Sequence, residues 1–337
     1  MLRCIKIAAP QGRGRSPSYG TGETTLDIHY QQAGSGPHLF VFVHGNFASW
    51  RWWKPIFDRL PADFRAVAPD LRGCGDTGTG GATASSFGVP RLAADLELLV
   101  QALDLPRFHL VGHSLGGAVA LQFALQHGHR LRSLTLVSPA PAAGLAAMRE
   151  GASRSAQMLR TVDPANAAAM ARLESGYRMQ RAFGLNRLAL RAALAEMMPG
   201  ASLEKAEFEA LVNDAARMSP EALVGFLRAL HEWNVEGELG RLRVPTLILA
   251  GGKDTLVPPA ASEKTANLLP GARLVVWPQV GHSPQLERPD DFVQLLVAVT
   301  RRSAWGRLQT WLWLQRRRLF GPPLLTEGAA PSPAAGS

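Results

Sequence analysis

A serine, an aspartate and a histidine follow one another along this chain, each in a segment whose residue types favour catalysis. Ser114 lies in GHSLG (112–116), the G-x-S-x-G pattern in which a serine occupies a sharp turn between a strand and a helix. Asp254 follows an apolar, strand-like run, and His282 lies in QVGHSPQLE (279–287). A serine hydroxyl is a weak nucleophile unless a histidine takes its proton and an acid orients that histidine. The sequence therefore predicts nucleophilic attack by Ser114, with His282 as general base and then acid, and Asp254 as its orienting residue.

A second segment supplies candidates for stabilising the charge that such an attack creates. HGNFASW (44–50) directly follows an apolar run, and its glycine permits a turn that aims a backbone amide inward. The amides of Asn46 and Leu115 are predicted to form an oxyanion hole, in which each donor contributes about 3 kcal/mol in the transition state. His44 is expected to order this loop and not to take part in the chemistry. Two aromatic residues of the segment are predicted to line the substrate pocket: Phe47 and Trp50.

Short apolar runs alternate with amphipathic helical patterns and define the elements that must position these residues. Buried runs of this kind, with helices between them, predict an α/β fold with a mostly parallel central sheet covered on both faces. Between residues 143 and 235 there is no strand-like run, which predicts a helical insertion between two strands. The predicted strands are 25–32, 38–43, 65–70, 108–112, 131–138, 244–252 and 272–278, and the predicted helices are 91–103, 115–127 and 290–302.

The distribution of charge disfavours a nucleic-acid partner. The formal net charge is +9, but residues 1–22 carry +4 and residues 301–337 carry +5, so the body between them is formally neutral. The two cysteines are far apart and form neither a disulfide pattern nor a metal-binding pattern. With no secretory signal and no run of eighteen apolar residues, the sequence predicts a cytoplasmic protein.

The basic end of the chain, WGRLQTWLWLQRRRLF (305–320), combines three tryptophans with four arginines. On a helix, its apolar residues occupy one broad arc and most of its arginines the opposite side. This pattern fits either a terminal helix that packs on the core or a peripheral contact with an anionic membrane. The residues that follow, 321–337, are rich in proline, glycine and alanine, which predicts disorder.

The motifs together resemble the α/β-hydrolase superfamily, in particular its cap-bearing, esterase-like members. The resemblance covers roughly residues 23–300 and implies that Ser114, Asp254 and His282 form a triad that needs no cofactor. It also implies a small-molecule, ester-like substrate and identifies the helical insertion as a cap; the sequence leaves the oligomeric state open. The motifs are HGNFASW, PDLRGCGDTG, GHSLGG, LAGGKDTLVP and GHSPQLERP. The predicted organisation is a basic extension (1–22), a core (23–142 and 236–300), a cap (143–235), a basic amphipathic helix (301–320) and a disordered tail (321–337).

Relatives within that superfamily differ in their catalytic residues, which narrows the expected chemistry. Epoxide hydrolases and haloalkane dehalogenases carry an aspartate nucleophile where this chain has Ser114, and the predicted cap contains a single tyrosine, Tyr177. Ser283 follows His282, where carbon–carbon hydrolases usually have a tryptophan. We therefore expect a carboxylesterase-type serine hydrolase acting on a small to medium apolar substrate through an acyl-enzyme. Lactone hydrolysis, carbon–carbon bond hydrolysis, perhydrolysis, acyl transfer and a non-catalytic binding module remain alternatives.

Overall fold

The strands of this protein form one twisted sheet whose carboxyl edge carries the predicted catalytic residues. The computed structural model describes residues 3–8, 25–145 and 163–300. Within that part of the chain the sheet has eight strands in the order β1-β2-β4-β3-β5-β6-β7-β8. The strands are β1 (Arg3–Ala8), β2 (Thr25–Gly34), β3 (His38–Val43), β4 (Phe64–Pro69), β5 (Phe108–His113), β6 (Leu131–Val137), β7 (Thr246–Gly251) and β8 (Arg273–Trp277).

Strand pairing confirms the expected mostly parallel sheet. β2 pairs antiparallel with both β1 and β4. All pairs from β4 through β8 are parallel. Every residue of β5 and β7 is buried, as expected for central strands covered on both faces. β1 lies within the stretch predicted as a basic extension, so the sheet begins before residue 23.

Helices cover both faces of the sheet and thereby explain the apolar strands. The described α-helices are α1 (Lys54–Phe57), α2 (Val89–Ala102), α3 (Leu115–His127), α4 (Ala167–Ala182), α5 (Asn186–Met197), α6 (Lys205–Ala215), α7 (Pro220–Glu232), α8 (Pro259–Leu268), α9 (Pro284–Glu287) and α10 (Pro289–Thr300). α2 and α3 contribute buried side chains to the core on one face of the sheet. α1 and α10 contribute Ile56, Phe292 and Leu295 to the core on the other face.

Four α-helices of the described part lie between β6 and β7, in the stretch predicted as a helical insertion. α4, α5, α6 and α7 form this insertion, which we call the cap, while residues 146–162 lie outside the described part. Leu190, Leu194 and Leu211 of the cap pack with Trp52 and Leu286 of the core in one apolar cluster. The cap is therefore held on the core partly by burial of apolar side chains.

Two sequence predictions fall on residues outside the described part. These are the amphipathic helix within residues 301–320 and the disordered tail at 321–337. Among the described helices, none is both long enough and apolar enough to cross a membrane.

A buried histidine in the central sheet is expected to make the fold sensitive to acid. The ring of His109 stacks on Phe40 at 4.7 Å, and its Nδ1 lies 2.7 Å from Ser133 Oγ. Burial is the main cause that lowers the pKa of His109 from 6.5 to about 4. Between pH 7 and pH 5 the unfolded chain takes up a proton that the folded chain does not, so stability falls as the pH falls.

We expect this uptake to lower the free energy of unfolding by about 2 kcal/mol between pH 7 and pH 5. Urea denaturation of the wild type and of His109→Phe at both pH values measures it. The variant should lose less stability on acidification by that amount. An equal loss in both proteins would show that His109 does not contribute.

Candidate active site

Ser114 occupies the sharp turn that its sequence pattern predicts. It follows β5 and precedes α3, with φ 54° and ψ −117°, in a region that non-glycine residues rarely adopt. A Cβ on Gly112 would lie 2.2 Å from the Gly116 carbonyl oxygen, and a Cβ on Gly116 would lie 2.3 Å from the Val43 carbonyl oxygen. Small residues at these two positions therefore allow the strand and the helix to approach closely enough to form the turn.

Asp254 and His282 come together as a hydrogen-bonded pair at the carboxyl ends of β7 and β8. Asp254 Oδ2 lies 2.7 Å from His282 Nδ1, and both side chains are buried. The other carboxylate oxygen, Oδ1, accepts hydrogen bonds from the amides of Leu256 at 3.0 Å and Val257 at 2.8 Å. Because a carboxylate only accepts, Nδ1 carries a proton, and the lone pair of a neutral ring is then on Nε2. Within the described structure, Nε2 has no hydrogen-bond partner, so it is available to take a proton.

His113 connects the serine turn to the His282 loop, a role that sequence reasoning missed. Its Nε2 donates to the backbone carbonyl of His282 at 2.9 Å, and the two rings lie 5.0 Å apart. Burial, followed by the proximity of His282, lowers the pKa of His113 well below 6.5, so its ring is neutral. Trp52 stacks on the ring of His113 at 5.8 Å. Its position next to Ser114 is the one sequence feature that could have identified His113.

The loop after β3 lies directly against the serine turn. A Cβ on Gly45 would lie 3.0 Å from Ser114 Cβ, which shows how closely this loop approaches Ser114. His44 Nδ1 lies 2.8 Å from the Gly45 carbonyl oxygen, and its Nε2 accepts from the Leu71 amide at 2.8 Å. Burial lowers the pKa of His44 to about 4, which keeps the ring neutral and able to accept that bond. These contacts agree with the expectation that His44 orders the loop.

The two predicted oxyanion donors occupy suitable backbone positions. Leu115 is the first residue of α3, where amides have no partner within the helix and the helix dipole favours negative charge. Asn46 follows Gly45, and its side-chain oxygen accepts from the Phe47 amide at 3.0 Å. Phe47 has φ 56°, so the chain turns sharply immediately after Asn46. The Asn46 side chain is thus engaged within the turn, while its backbone amide follows the glycine that touches Ser114.

The two aromatic residues predicted to line the pocket lie in different surroundings. The ring of Phe47 meets Tyr177 of the cap edge-on at 6.4 Å, so Phe47 lies between core and cap. Trp50 packs beside the core cluster that contains Trp53, and its amide donates to Asp70 at 2.8 Å. The tryptophan that contacts His113 is Trp52, which the sequence analysis did not select.

Glu287 holds the His282 loop and the cap together, and sequence reasoning also missed it. Its carboxylate accepts from the Gly281 amide at 2.9 and 3.0 Å and from the Ser283 amide at 3.3 Å. It also accepts from the amide of Gly200, a cap residue, at 2.9 Å. Burial raises the pKa of Glu287, and the three amides oppose that rise. In the same region the His282 amide donates to the carbonyl oxygen of Met197 at 2.8 Å, so the cap contacts the histidine loop directly.

We expect Glu287→Gln to destabilise the protein, because one carboxylate oxygen becomes an amide group that faces buried donors. The expected loss in the free energy of unfolding is about 1–3 kcal/mol, measured by urea denaturation. The exposed Glu232→Gln is the matched control and should unfold like the wild type. Equal stability of Glu287→Gln and Glu232→Gln would contradict this prediction.

An ion-pair network provides a further contact between core and cap. Arg51 of the core lies 3.0 Å from Asp76 and 3.1 Å from Asp214 of α6, and Arg217 of the cap pairs with Asp76. Burial is the main cause that raises the pKa of the neighbouring Asp70 to about 7. The ion pairs that Arg51 and Asp76 form with cap residues therefore exist only while the cap lies on the core.

No group of three or more His, Cys, Asp and Glu side chains in the described ranges could hold a metal ion.

The fold and the residues gathered at the carboxyl edge of the sheet define a hydrolase scaffold. The chain belongs to the α/β-hydrolase family, because residues 38–289 match the family described as alpha/beta hydrolase fold. This confirms the resemblance drawn from the motifs.

Individual relatives lie at low identity but cover most of the chain. A pimeloyl-[acyl-carrier protein] methyl ester esterase from Vibrio vulnificus is 26% identical, covering 81% of this chain and 98% of the relative. A 2-hydroxy-6-oxo-2,4-heptadienoate hydrolase from Pseudomonas putida is 28% identical, covering 80% and 91%. The structure of a thermophilic esterase from Thermogutta terrifontis aligns with a TM-score of 0.65 at 24% identity, covering 90% and 99%. This structural likeness shows the fold.

Proposed function

We propose that this protein is a serine hydrolase that cleaves a carboxylic ester of a small to medium apolar substrate through an acyl-enzyme. The observation that carries the proposal is the buried pair of Asp254 and His282, whose Nε2 has no partner within the described residues. The ring of His282 lies 5.0 Å from the ring of His113, the residue directly before Ser114 and its strained turn, and His113 Nε2 donates to the His282 carbonyl. A neutral histidine with an available lone pair next to a serine is the arrangement that acyl transfer requires.

In the proposed first step, Ser114 Oγ attacks the ester carbonyl carbon while His282 Nε2 takes the hydroxyl proton. The Asn46 and Leu115 amides stabilise the negative oxygen of the tetrahedral intermediate. As the carbon–oxygen bond to the alcohol breaks, His282 gives its proton to the leaving alkoxide, which leaves an ester on Ser114. Water then attacks this ester by the same proton transfers and releases the acid.

Asp254 has a defined part in this scheme because its two oxygens have different partners. The amides of Leu256 and Val257 hold Oδ1, which leaves Oδ2 directed at His282 Nδ1. The carboxylate thus fixes the tautomer of His282 and stabilises the positive charge that the ring acquires.

The apolar substrate preference rests on the side chains near the site. Phe47 and Tyr177 meet where core and cap join, and buried Trp52 stacks on His113. The similarity to a methyl ester esterase of Vibrio vulnificus supports ester hydrolysis by this chain. The Pseudomonas putida relative is a hydrolase of 2-hydroxy-6-oxo-2,4-heptadienoate, a compound without an ester bond, so carbon–carbon hydrolysis is the alternative to be tested.

Covalent labelling tests the proposed nucleophile. A fluorophosphonate probe should label the wild type at Ser114, shown by peptide mass spectrometry, and should not label Ser114→Ala. Ser175→Ala, at an exposed cap serine, should be labelled like the wild type. A folded wild type that resists the probe, or continued labelling of Ser114→Ala, would reject Ser114 as the nucleophile.

A substrate panel tests the reaction class. Purified protein should act on p-nitrophenyl esters of short and medium acyl chains with higher kcat/KM than on a lactone, a carbamate or a vinylogous diketone. A vinylogous diketone cleaved faster than every ester would replace the ester proposal with carbon–carbon hydrolysis.

A further inference from the structure

The turn between α4 and α5 exposes large apolar side chains to solvent. Among the described residues, four of the exposed large apolar side chains cluster in this segment, which we call the cap tip (residues 178–191). Their exposed fractions are 64% for Met179, 72% for Phe183, 65% for Leu185 and 76% for Leu188. Scattered exposed leucines are ordinary, but four large apolar residues within ten positions indicate an interaction surface.

The backbone of the cap tip explains why these side chains point outward. Gly184 has φ 70°, and the amides of Gly184 and Leu185 donate to the carbonyl oxygens of Arg181 and Gln180. This glycine-dependent end of a helix reverses the chain abruptly. Phe183 and Leu185 flank Gly184 and therefore lie at the end of the helical hairpin, away from the helices that bury Leu190 and Leu194.

The cap tip is also strongly basic. Residues 178–191 contain four arginines and no aspartate or glutamate. Arg178 pairs with Glu174 and Glu221, and Arg191 pairs with Glu209. Arg181 and Arg187 form no ion pair with any described residue. Within the described ranges, two positive charges without an ion-pair partner thus flank the exposed apolar side chains.

We propose that the cap tip docks onto an anionic lipid surface. Apolar side chains that enter the boundary between headgroups and acyl chains leave water, while the arginines that flank them meet negatively charged headgroups. Their long side chains extend to the headgroup level as the apolar residues insert. The proposed contact uses described residues only, none of which belongs to the basic segment at 305–320.

Charge disfavours a second copy of this chain as the occupant of the cap tip. In a symmetric dimer both partners contribute the same patch, so the region of Arg181 and Arg187 in one copy would face the equally basic patch of the other. Like charges in a contact that excludes water repel one another strongly. An anionic surface complements both the charge and the apolar character of the patch.

The docked surface would lie one helix away from the proposed catalytic site. α5 begins at the cap tip and ends at Met197, whose carbonyl oxygen accepts from the His282 amide. Its twelve residues span about 18 Å, since an α-helix rises about 1.5 Å per residue. Docking would therefore hold the site near a lipid surface, where apolar molecules accumulate; this consequence, unlike the docking itself, rests on the proposed function.

A fluorescent probe on the cap tip tests the docking independently of activity. In full-length protein with Cys4→Ser, the Leu185→Cys variant is labelled with an environment-sensitive dye, because Cys74 is buried. With vesicles of equal phosphatidylcholine and phosphatidylglycerol, its emission should shift to shorter wavelength and its quenching by iodide should fall. Phosphatidylcholine vesicles should produce neither change. The same dye at Leu268→Cys, an exposed position on α8, should not respond.

Replacing both unpaired arginines measures the electrostatic part of the docking. Arg181→Gln with Arg187→Gln should weaken binding to the anionic vesicles about 30-fold, at about 1 kcal/mol per arginine. Arg132→Gln with Arg241→Gln, at exposed core positions, is the control and should bind like the wild type. If the protein floats with the vesicles but the emission of the dye at residue 185 does not change, the protein attaches through another surface. That result would overturn the proposal. A concentration-dependent shift without vesicles would overturn it in favour of self-association.

Discussion

Replacing Ser114 with alanine should lower kcat/KM for an ester substrate by a factor on the order of 10⁶. The substitution removes the oxygen that would attack the carbonyl and leaves the binding surface and the backbone amides of Asn46 and Leu115 in place. Residual hydrolysis should therefore depend on these groups alone. Steady-state kinetics on the best p-nitrophenyl ester, at enzyme concentrations high enough to measure a slow rate, would give the ratio.

The Ser114→Ala substitution should leave the fold intact. Alanine has the same Cβ as serine and meets the same backbone strain at φ 54°, so the melting temperature should change little. Ser175→Ala provides the matched serine-to-alanine control on the exposed surface of the cap and should keep wild-type activity. Hydrolysis by Ser114→Ala at the wild-type rate would reject the proposed mechanism.

Replacing Asp254 with asparagine should lower kcat/KM by about 10⁴-fold at neutral pH. The amides of Leu256 and Val257 require an oxygen at the position of Oδ1, so the new NH₂ group must face His282. An NH₂ group donates, which forces Nδ1 of His282 to accept and moves the ring proton to Nε2. A histidine protonated at Nε2 cannot take the proton of Ser114.

The same substitution at an exposed aspartate separates this tautomer effect from a general loss of charge. Asp58 lies on the surface beside Lys54, and Asp58→Asn should retain wild-type kcat/KM. Asp254→Asn should still fold, which near-ultraviolet circular dichroism would verify. Activity of Asp254→Asn within tenfold of the wild type would show that Asp254 does not set the tautomer.

The strands and the serine turn were predictable because each depends on local sequence. Runs such as HLFVFV are apolar at every position, which is typical of strands buried on both faces, and this run became β3 without a change of boundary. Gly112 and Gly116 identified the turn because close approach of strand and helix excludes larger residues there. β1 was missed because its strand Arg3–Ala8 lies in a stretch that charge alone marked as an extension.

The contacts that hold the candidate site together were not predictable, because they join residues far apart in sequence. No sequence motif marks His113 or Glu287. Their partners are the His282 carbonyl and the Gly200 amide, and such backbone groups do not depend on residue type. Trp52 was passed over in favour of Trp50 because a short 3₁₀ helix at Trp50–Trp53, which decides how these rings are directed, leaves no clear periodicity.

The contacts of Met197 and Gly200 with the histidine loop limit which parts of the cap can change in length or sequence. The anchoring residues lie at the end of α5 and just after it, near the middle of the insertion and not at its ends. The helical hairpins on either side can therefore lengthen, shorten or be exchanged for those of another family member without altering the backbone that holds His282. A chimera that carries a foreign cap but retains residues 197–200 should keep the conformation of the histidine loop, and one that replaces these residues should alter it.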